Sequence, residues 1–459
     1  MRGNKGDRTL GKDMTTGKPL PIILMFALPI LAGNIFQQLY TVVDGIVVGR
    51  HVSTEALAAV GVGFPVTYML TSFFLGIGLG SSVLISQYYG AGNLDKIRVV
   101  LRTMHTFTVI VSIPLTVLAI LSTEMFLGLL RAPDDVFEPA KLYMIIYYVG
   151  MLPQLGYNVN AGAIQGMGDS KTPLYILIVS SLLHVVLAYA FAVVMPWGIA
   201  GVAWSTVISQ AVSWGISVAV IKRKYPEIRF RFFDFKIDKR ACADSLKVGV
   251  PIGFQNALFS FGMMVMQPLI NGYGTTFIAG YNAAIRVDGF VFMPVTSIAT
   301  AITTFVGQNI GANRDDRLNE GVRATGILSV GLCVLLCAVV LPLQDALLYL
   351  FTSDADVVAA GKAYLIRVIP LYAISTLQYM LIGILRGAGQ SLIPTIATLV
   401  SLWLARIPAA FALSHYFGAN NMHWCYAIGW TLGLAILIPY YYKGHWRKGL
   451  INDDAETTE

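Results

Sequence analysis

The sequence predicts an all-α polytopic membrane protein with twelve transmembrane helices, arranged in two six-helix lobes related by a parallel pseudo-two-fold repeat. Three observations carry this prediction: the composition, the spacing of the apolar stretches, and an internal repeat at one constant offset. The chain is 56% hydrophobic and 12% charged, with a mean hydropathy of +0.67. A soluble domain carries roughly 25% charged residues.

Stretches near the ~20 residues that cross a bilayer give spans at 22–48, 56–85, 99–121, 139–161, 173–194 and 199–221. After a charged segment the pattern resumes at 248–270, 277–306, 324–343, 363–382, 392–413 and 422–442. The expected organisation is a tail at 1–19, a lobe at 20–221, a basic linker at 222–247, a second lobe at 248–442 and a tail at 443–459. The polar, basic start of the chain leads into an apolar stretch too long for a signal peptide's core, so the first span is expected to serve for insertion. The four cysteines, Cys242, Cys333, Cys337 and Cys425, show no metal-ligand or disulfide spacing and read as packing residues.

Lysine and arginine collect in cytoplasmic loops. With both ends inside, 25 of the 32 basic residues fall on the cytoplasmic side. Four (Arg50, Arg131, Lys141, Lys362) fall outside and three (Arg286, Arg367, Arg406) within spans. A multi-pass cell-membrane protein with cytoplasmic termini follows. The net charge of +7 is then matched by the anionic inner leaflet and calls for no nucleic acid.

The repeat is visible at two places. Gln87-Tyr88-Tyr89-Gly90-Ala91 is answered by Gln308-Asn309-Ile310-Gly311-Ala312, and Gly166-Met167-Gly168-Asp169-Ser170 by Gly387-Ala388-Gly389-Gln390-Ser391, both 221 residues apart. Pro173 and Pro394 follow at the same offset, and Lys141 and Tyr143 match Lys362 and Tyr364. Six spans per repeat keep corresponding helices parallel, and the interface between such halves is where transporters place substrate.

Several of these residues resemble the multidrug and toxic compound extrusion (MATE) transporters, over roughly residues 20–443. The carriers are Gln38-Leu39-Tyr40, Val43-Asp44-Gly45 and Val48-Gly49-Arg50 in the first span, Gly166-x-Gly168-Asp169-Ser170-Lys171-Thr172-Pro173, and Val306-Gly307-Gln308-Asn309-Ile310-Gly311-Ala312. The resemblance implies a central cavity between two bundles and export of organic cations or amphipathic compounds in exchange for Na⁺ or H⁺.

Independently of that resemblance, Asp44 stands out. A carboxylate at the centre of a membrane span costs on the order of 3 kcal/mol, which makes a functional role its default reading. Asn34, Gln37, Gln38, Thr41 and Asp44 fall on about a third of the helix circumference. Gln154, Asn158 and Gln165 form a second polar stripe, and Ser180, Ser181 and His184 a third. The bland reading of these stripes is interhelical hydrogen bonding. The resemblance gives the matching aspartate the coupling role, usually with Asn and Asp partners in the fifth span. Here those positions read Ser181, His184 and Ala188. The missing second carboxylate and a histidine that titrates near neutrality tilt the expectation towards H⁺. Na⁺ held by Asp44 and Asn158 stays open. The coupling set is therefore Asp44, Asn158, His184, Ser181, Gln38 and Tyr40, with no cofactor beyond the ion.

One branch of the family carries carboxylates in the seventh and tenth spans, where this chain has Phe259 or Ser260 and Ser375. Cation coupling through the second lobe is not expected on that ground. Arg286 and Asp288 lie in the eighth span on different helix faces, and Arg286, close to the midplane, calls for an acceptor. The candidate substrate cavity comprises Phe259, Met263, Met266, Arg286, Asp288, Met293 and Tyr68, because methionine adapts its shape and aromatic faces attract organic cations. The same stripe also reads as ordinary packing. Phosphate-binding loops, zinc-peptidase motifs and catalytic triads are missing, which argues against ATP drive and an enzyme. The expected partner is a small cationic or amphipathic molecule moved by a monomer. The alternative is a lipid-linked precursor flippase, or an exporter of an endogenous metabolite, in the same superfamily.

Overall fold

The computed structural model describes residues 11–130, 132–228 and 234–451. The side chains at 40–45, 50, 51 and 54 lie outside the described residues. Tyr40, Thr41, Asp44 and Arg50 are thus placed by their helix backbone alone, and Arg131 is not described.

The first lobe opens with α1 (Pro19–His51), α2 (Thr54–Gly90) and α3 (Leu94–Leu121). A short α4 (Thr123–Leu129) leads to α5 (Asp134–Val149) and α6 (Met151–Gly166). Then α7 (Lys171–Tyr189) runs into a π-helical turn (Ala190–Val194), and α8 (Gly198–Lys224) ends the lobe. The second lobe begins with α9 (Lys239–Asn271), α10 (Thr275–Gly311) and α11 (Asp315–Tyr349). It continues with α12 (Ala355–Val368) and α13 (Tyr372–Gly387). α14 (Leu392–Val400), a π-helical turn (Ser401–Arg406) and α15 (Ile407–Phe417) form one interrupted span, and α16 (Cys425–Lys443) closes the set.

Polar residues mark the starts: Ser53, Asn93, Asp238 and Asp354 each accept a first-turn backbone N–H. Lys222, Arg223 and Lys224 finish α8 where the helix dipole is negative.

Two expected spans are not continuous, and they break at equivalent points. Gly150 separates α5 from α6. The position 221 residues on, Leu371, lies in the gap between α12 and α13, where the chain bends by 56°. Pro370 in that gap supplies no N–H to carry the helix through. Among the described residues ten helices are long and apolar enough to cross a membrane, or eleven with the bent pair counted as one. The expected twelve is not reached, because α5 and α6 are only 16 residues each and α6 carries Gln154, Asn158, Asn160 and Gln165.

The lobes exchange material across their seam. Ile22, Ile23, Phe26 and Ala27 of α1 are buried with Ile298, Phe305 and Leu381 of the second lobe. In return, Ala241, Val248 and Ile252 of α9 join the core of the first lobe. The α2–α9 crossing runs backbone to backbone: a side chain at Gly76 or Gly80 would strike the main chain of Gly249, Gly253 or Ser245. Small residues at such spacing let membrane helices approach closely.

At the face that carries both chain ends the repeat is kept atom for atom. Gln87 donates from Nε2 to the Gly387 carbonyl at 3.0 Å, and its counterpart Gln308 donates to the Gly166 carbonyl at 3.0 Å. The Oε1 of Gln87 accepts the Leu450 N–H at 2.8 Å, while that of Gln308 accepts the Met14 N–H at 2.9 Å. Gly90 and Gly311 meet the carbonyls of Gln308 and Gln87, with no room for a Cβ at either. Met14 is fully buried in the second lobe's core and Leu450 is buried in the first's. The segments at Met14 and Leu450 thus occupy corresponding positions and close this face.

Candidate functional site

The first lobe encloses a polar cavity of about 100 Å³. Gln37 comes from α1, Thr71 and Leu75 from α2, Gln154, Tyr157 and Asn158 from α6, Ser180, Ser181 and His184 from α7. Helix α8 adds Thr206, Ser209, Gln210 and Ser213. Of these five helices, α6, α7 and α8 present most of the groups because their polar residues recur at i, i+3, i+4 or i+7.

An inner hydrogen-bond network fixes the wall. Gln154 Nε2 donates to Thr71 Oγ1 at 3.0 Å, Thr71 and Tyr147 hydroxyls lie 2.8 Å apart, and Asn158 Nδ2 donates to the Gln154 carbonyl at 3.0 Å. Asn158 keeps its Oδ1 without a protein donor among the described residues. His184 is buried in this wall at 1% exposure. The lining holds no carboxylate among the described residues. Asp44 lies one heptad beyond Gln37 on α1, and its own side chain is outside the described residues.

Size decides what this cavity holds. Drug-sized pockets run to roughly 300–1,000 Å³, whereas one water needs on the order of 10–15 Å³ of such space. The cavity suits a small ion with several waters, and it is too small for an organic dye.

The second lobe is built differently. Asp288 on α10 is half-buried and accepts from the Tyr372 hydroxyl at 2.6 Å. The Tyr364 hydroxyl donates to that of Tyr426 at 3.1 Å. Arg406, 6% exposed, ends the π-helical turn and stacks over the Tyr426 ring at 3.6 Å. Tyr426 packs on Trp430, Trp430 on Tyr372, and Tyr372 on Phe292. The interior is an aromatic box holding one acid and one guanidinium.

The expected residues divide accordingly. Asn158, Ser181 and His184 come together in one cavity with Gln37. Gln38 is exposed and is not part of its lining, and Asn34 instead crosses the seam to Ser297 Oγ at 3.2 Å. Ala188 is buried against Val47 and Val48.

Of the substrate set, Met266 is fully buried in the second lobe's core, because its position on α9 faces that lobe rather than the cleft. Phe259 is partly buried against the same core, and Met263 lies beneath Arg406 with Sδ 3.8 Å from Nη2. Met293 is partly buried, and Tyr68 is 47% exposed and stacked on Phe64. Arg286, expected to need an acceptor, is exposed and forms no ion pair with Asp288. Sequence reasoning missed the α8 wall, although Thr206, Ser209 and Ser213 repeat at i, i+3 and i+7. It also missed the tyrosines around Asp288, which read as ordinary aromatic packing.

The profile of the MatE family matches this chain twice, over residues 29–190 and 251–412. The chain belongs to the MatE family. The two matches fall one on each lobe, as the repeat requires. The MatE chain is similar to "Probable multidrug resistance protein YoeA" of Bacillus subtilis, at 29% identity over 92% of this chain and 93% of that protein. It is similar also to "Probable multidrug resistance protein YpnP" of the same organism, at 29% identity over 95% and 97%. In fold it resembles a solved structure described as "Crystal structure of MATE in complex with MaD3S", with a TM-score of 0.88, 21% identity and coverage of 97% and 100%. This MatE protein is thus a multi-pass member of a multidrug efflux transporter family.

Proposed function

We propose that the chain is a secondary antiporter that exports organic cations or amphipathic drugs in exchange for H⁺, with Asp44 as coupling carboxylate. The observation that carries this reading is the ion-sized polar cavity of the first lobe, whose described lining holds no carboxylate and into whose wall the Asp44 helix sends Gln37. In this reading Asp44 supplies the charge that the described lining lacks. His184, Ser181 and Asn158 supply hydrogen bonds and, for Na⁺, oxygen ligands. The drug itself is held between the lobes.

Alternating access follows from the closed face that carries the chain ends. With 25 of 32 basic residues on that side, we place it in the cytoplasm of the cell membrane, and the protein works as a monomer. The described state is then open or poised to open outward. Inward opening requires the two glutamine contacts and both chain-end contacts to part. If one proton enters as one monovalent cation leaves, a pH difference of one unit supplies about 1.4 kcal/mol.

Efflux of ethidium from cells expressing the protein tests the substrate class. Efflux above the control supports drug export. Unchanged ethidium efflux with altered envelope assembly would favour a lipid-linked precursor flippase, against which the single buried guanidinium of the second lobe's box already argues.

A further inference from the structure

The second lobe carries a charge system that the antiport reading leaves unused. Among its described residues Asp288 is the one acid deep inside a helix, about 20 Å along α10, while every other lies within two turns of a helix end. A carboxylate at such depth is costly and ordinarily pairs or exchanges an ion. Asp288 forms no ion pair among the described residues, and it accepts a hydrogen bond from the Tyr372 hydroxyl at 2.6 Å.

The groups that face Asp288 are Tyr372 from α13, Tyr364 from α12, Tyr426 from α16 and Arg406 from the π-helical turn. Only Arg406 among them is charged. It stacks on Tyr426 instead of touching the acid, and its Nε has no partner. A structural ion pair would be in contact, since the attraction must offset desolvation of both ions. Here each is engaged with a tyrosine instead, Asp288 with the Tyr372 hydroxyl and Arg406 with the Tyr426 ring. π-helical turns of this kind occur frequently at functional sites.

We propose that Asp288 is a second proton-binding carboxylate, so that each cycle imports two protons, one per lobe, and exports one monovalent cation. The proposal rests on the antiport reading. With Asp288 ionised, its charge and that of Arg406 cancel, and the half-buried acid attracts a cation. When a proton from the outer side binds a carboxylate oxygen, Arg406 stands uncompensated and repels the cation outward. The proton later leaves to the cytoplasm, which restores the ionised pair. Two protons in and one cation out move one net positive charge inward, so exchange responds to membrane potential.

The test uses the full chain in proteoliposomes loaded with ethidium. A potassium diffusion potential, interior negative, is imposed at equal pH. The proposal expects ethidium efflux driven by potential, tenfold in accumulation per ~60 mV. Asp288→Asn, which keeps an acceptor for Tyr372 but leaves Arg406 uncompensated as a bound proton does, should lose that response and export less ethidium under a pH difference. Wild-type efflux that runs on a pH difference but ignores potential would overturn the proposal, as would Asp288→Asn that still follows potential.

If wild type moves no ethidium under a pH difference, the antiport reading has failed instead. An infrared titration of the purified protein in lipid then still decides the site. One protonated-carboxyl band should vanish in Asp288→Asn, and identical titrations of the two proteins would overturn the assignment.

Discussion

The two lobes share one repeat and differ in their interiors. Where they meet at the chain-end face, Gln87 and Gln308 make the same two hydrogen bonds to equivalent partners. Toward the membrane centre the first lobe is lined by neutral hydroxyl and amide groups, whereas the second is packed with tyrosine around Asp288 and Arg406. A closing surface needs both halves to fit each other, so symmetry persists there. Each interior needs only chemistry of its own and no fit to the other, so the interiors were free to diverge.

The symmetric part can be broken at its glycines. A side chain at Gly90 or Gly311 would overlap the carbonyl of the facing glutamine, so Gly90→Val and Gly311→Val should each prevent closure. Efflux should fall to background in both. A cysteine at the buried position 86, introduced as Ser86→Cys, should react with a water-soluble thiol reagent much faster in those variants than in the wild-type background. Normal transport by either variant would contradict the sealed face.

A smaller effect is expected from the glutamines themselves. Gln87→Ala leaves the Gly387 carbonyl and Leu450 N–H unpaired, and Gln308→Ala does the same to Gly166 and Met14. A buried group that loses its partner costs about 1–3 kcal/mol, which shifts the closed-to-open balance by roughly 5- to 160-fold. Symmetry predicts matched shifts, readable by the same labelling, and a large effect in one with none in the other would show that the pair is not a symmetric clasp.

The asymmetric part is sharpened by paired substitutions in the interiors. Asn158→Ala removes an amide from the first-lobe cavity and is expected to lower efflux about tenfold, a loss of ~1.4 kcal/mol. Ser375→Ala, in the second lobe, touches a hydroxyl that makes no hydrogen bond and should leave efflux unchanged.

The smallest effect on transport is expected at Asp169, whose repeat counterpart is the neutral Gln390. Burial works against its charge, but Lys224 Nζ at 2.5 Å, the Thr172 hydroxyl and the Tyr225 hydroxyl at 2.6 Å prevail and hold the carboxyl below its usual range. A lowered folded value means stability that is complete above the unfolded value near 3.9 and lost as pH falls through the folded one. Asp169→Asn should therefore lower the melting temperature at neutral pH, and the difference from wild type should shrink in acid. A constant difference across pH would remove the charge from the account.

Much of this was legible in the sequence. The constant offset joined Gln87 to Gln308 and Gly166 to Gly387, which are the atoms that meet in the closed face. The stripes of α6 and α7 identified Asn158, Ser181 and His184 because polar side chains cannot face lipid. The breaks at Gly150 and at 369–371 were not legible, since apolar composition does not report helix continuity. Met266 fills the second lobe's core because neighbours rather than periodicity decide which face of a helix deep in a bundle is buried. The Asp288 network joins α10, α12, α13 and α16, and no local pattern announces such an encounter.

The most direct test of the central claim is ethidium efflux from inverted vesicles under an imposed pH difference or an imposed Na⁺ difference, for wild type and Asp44→Asn. The account predicts transport on the pH difference and its loss in Asp44→Asn. Efflux untouched by the substitution would contradict it, and transport driven by Na⁺ alone would make Asp44 and Asn158 metal ligands in place of a proton site.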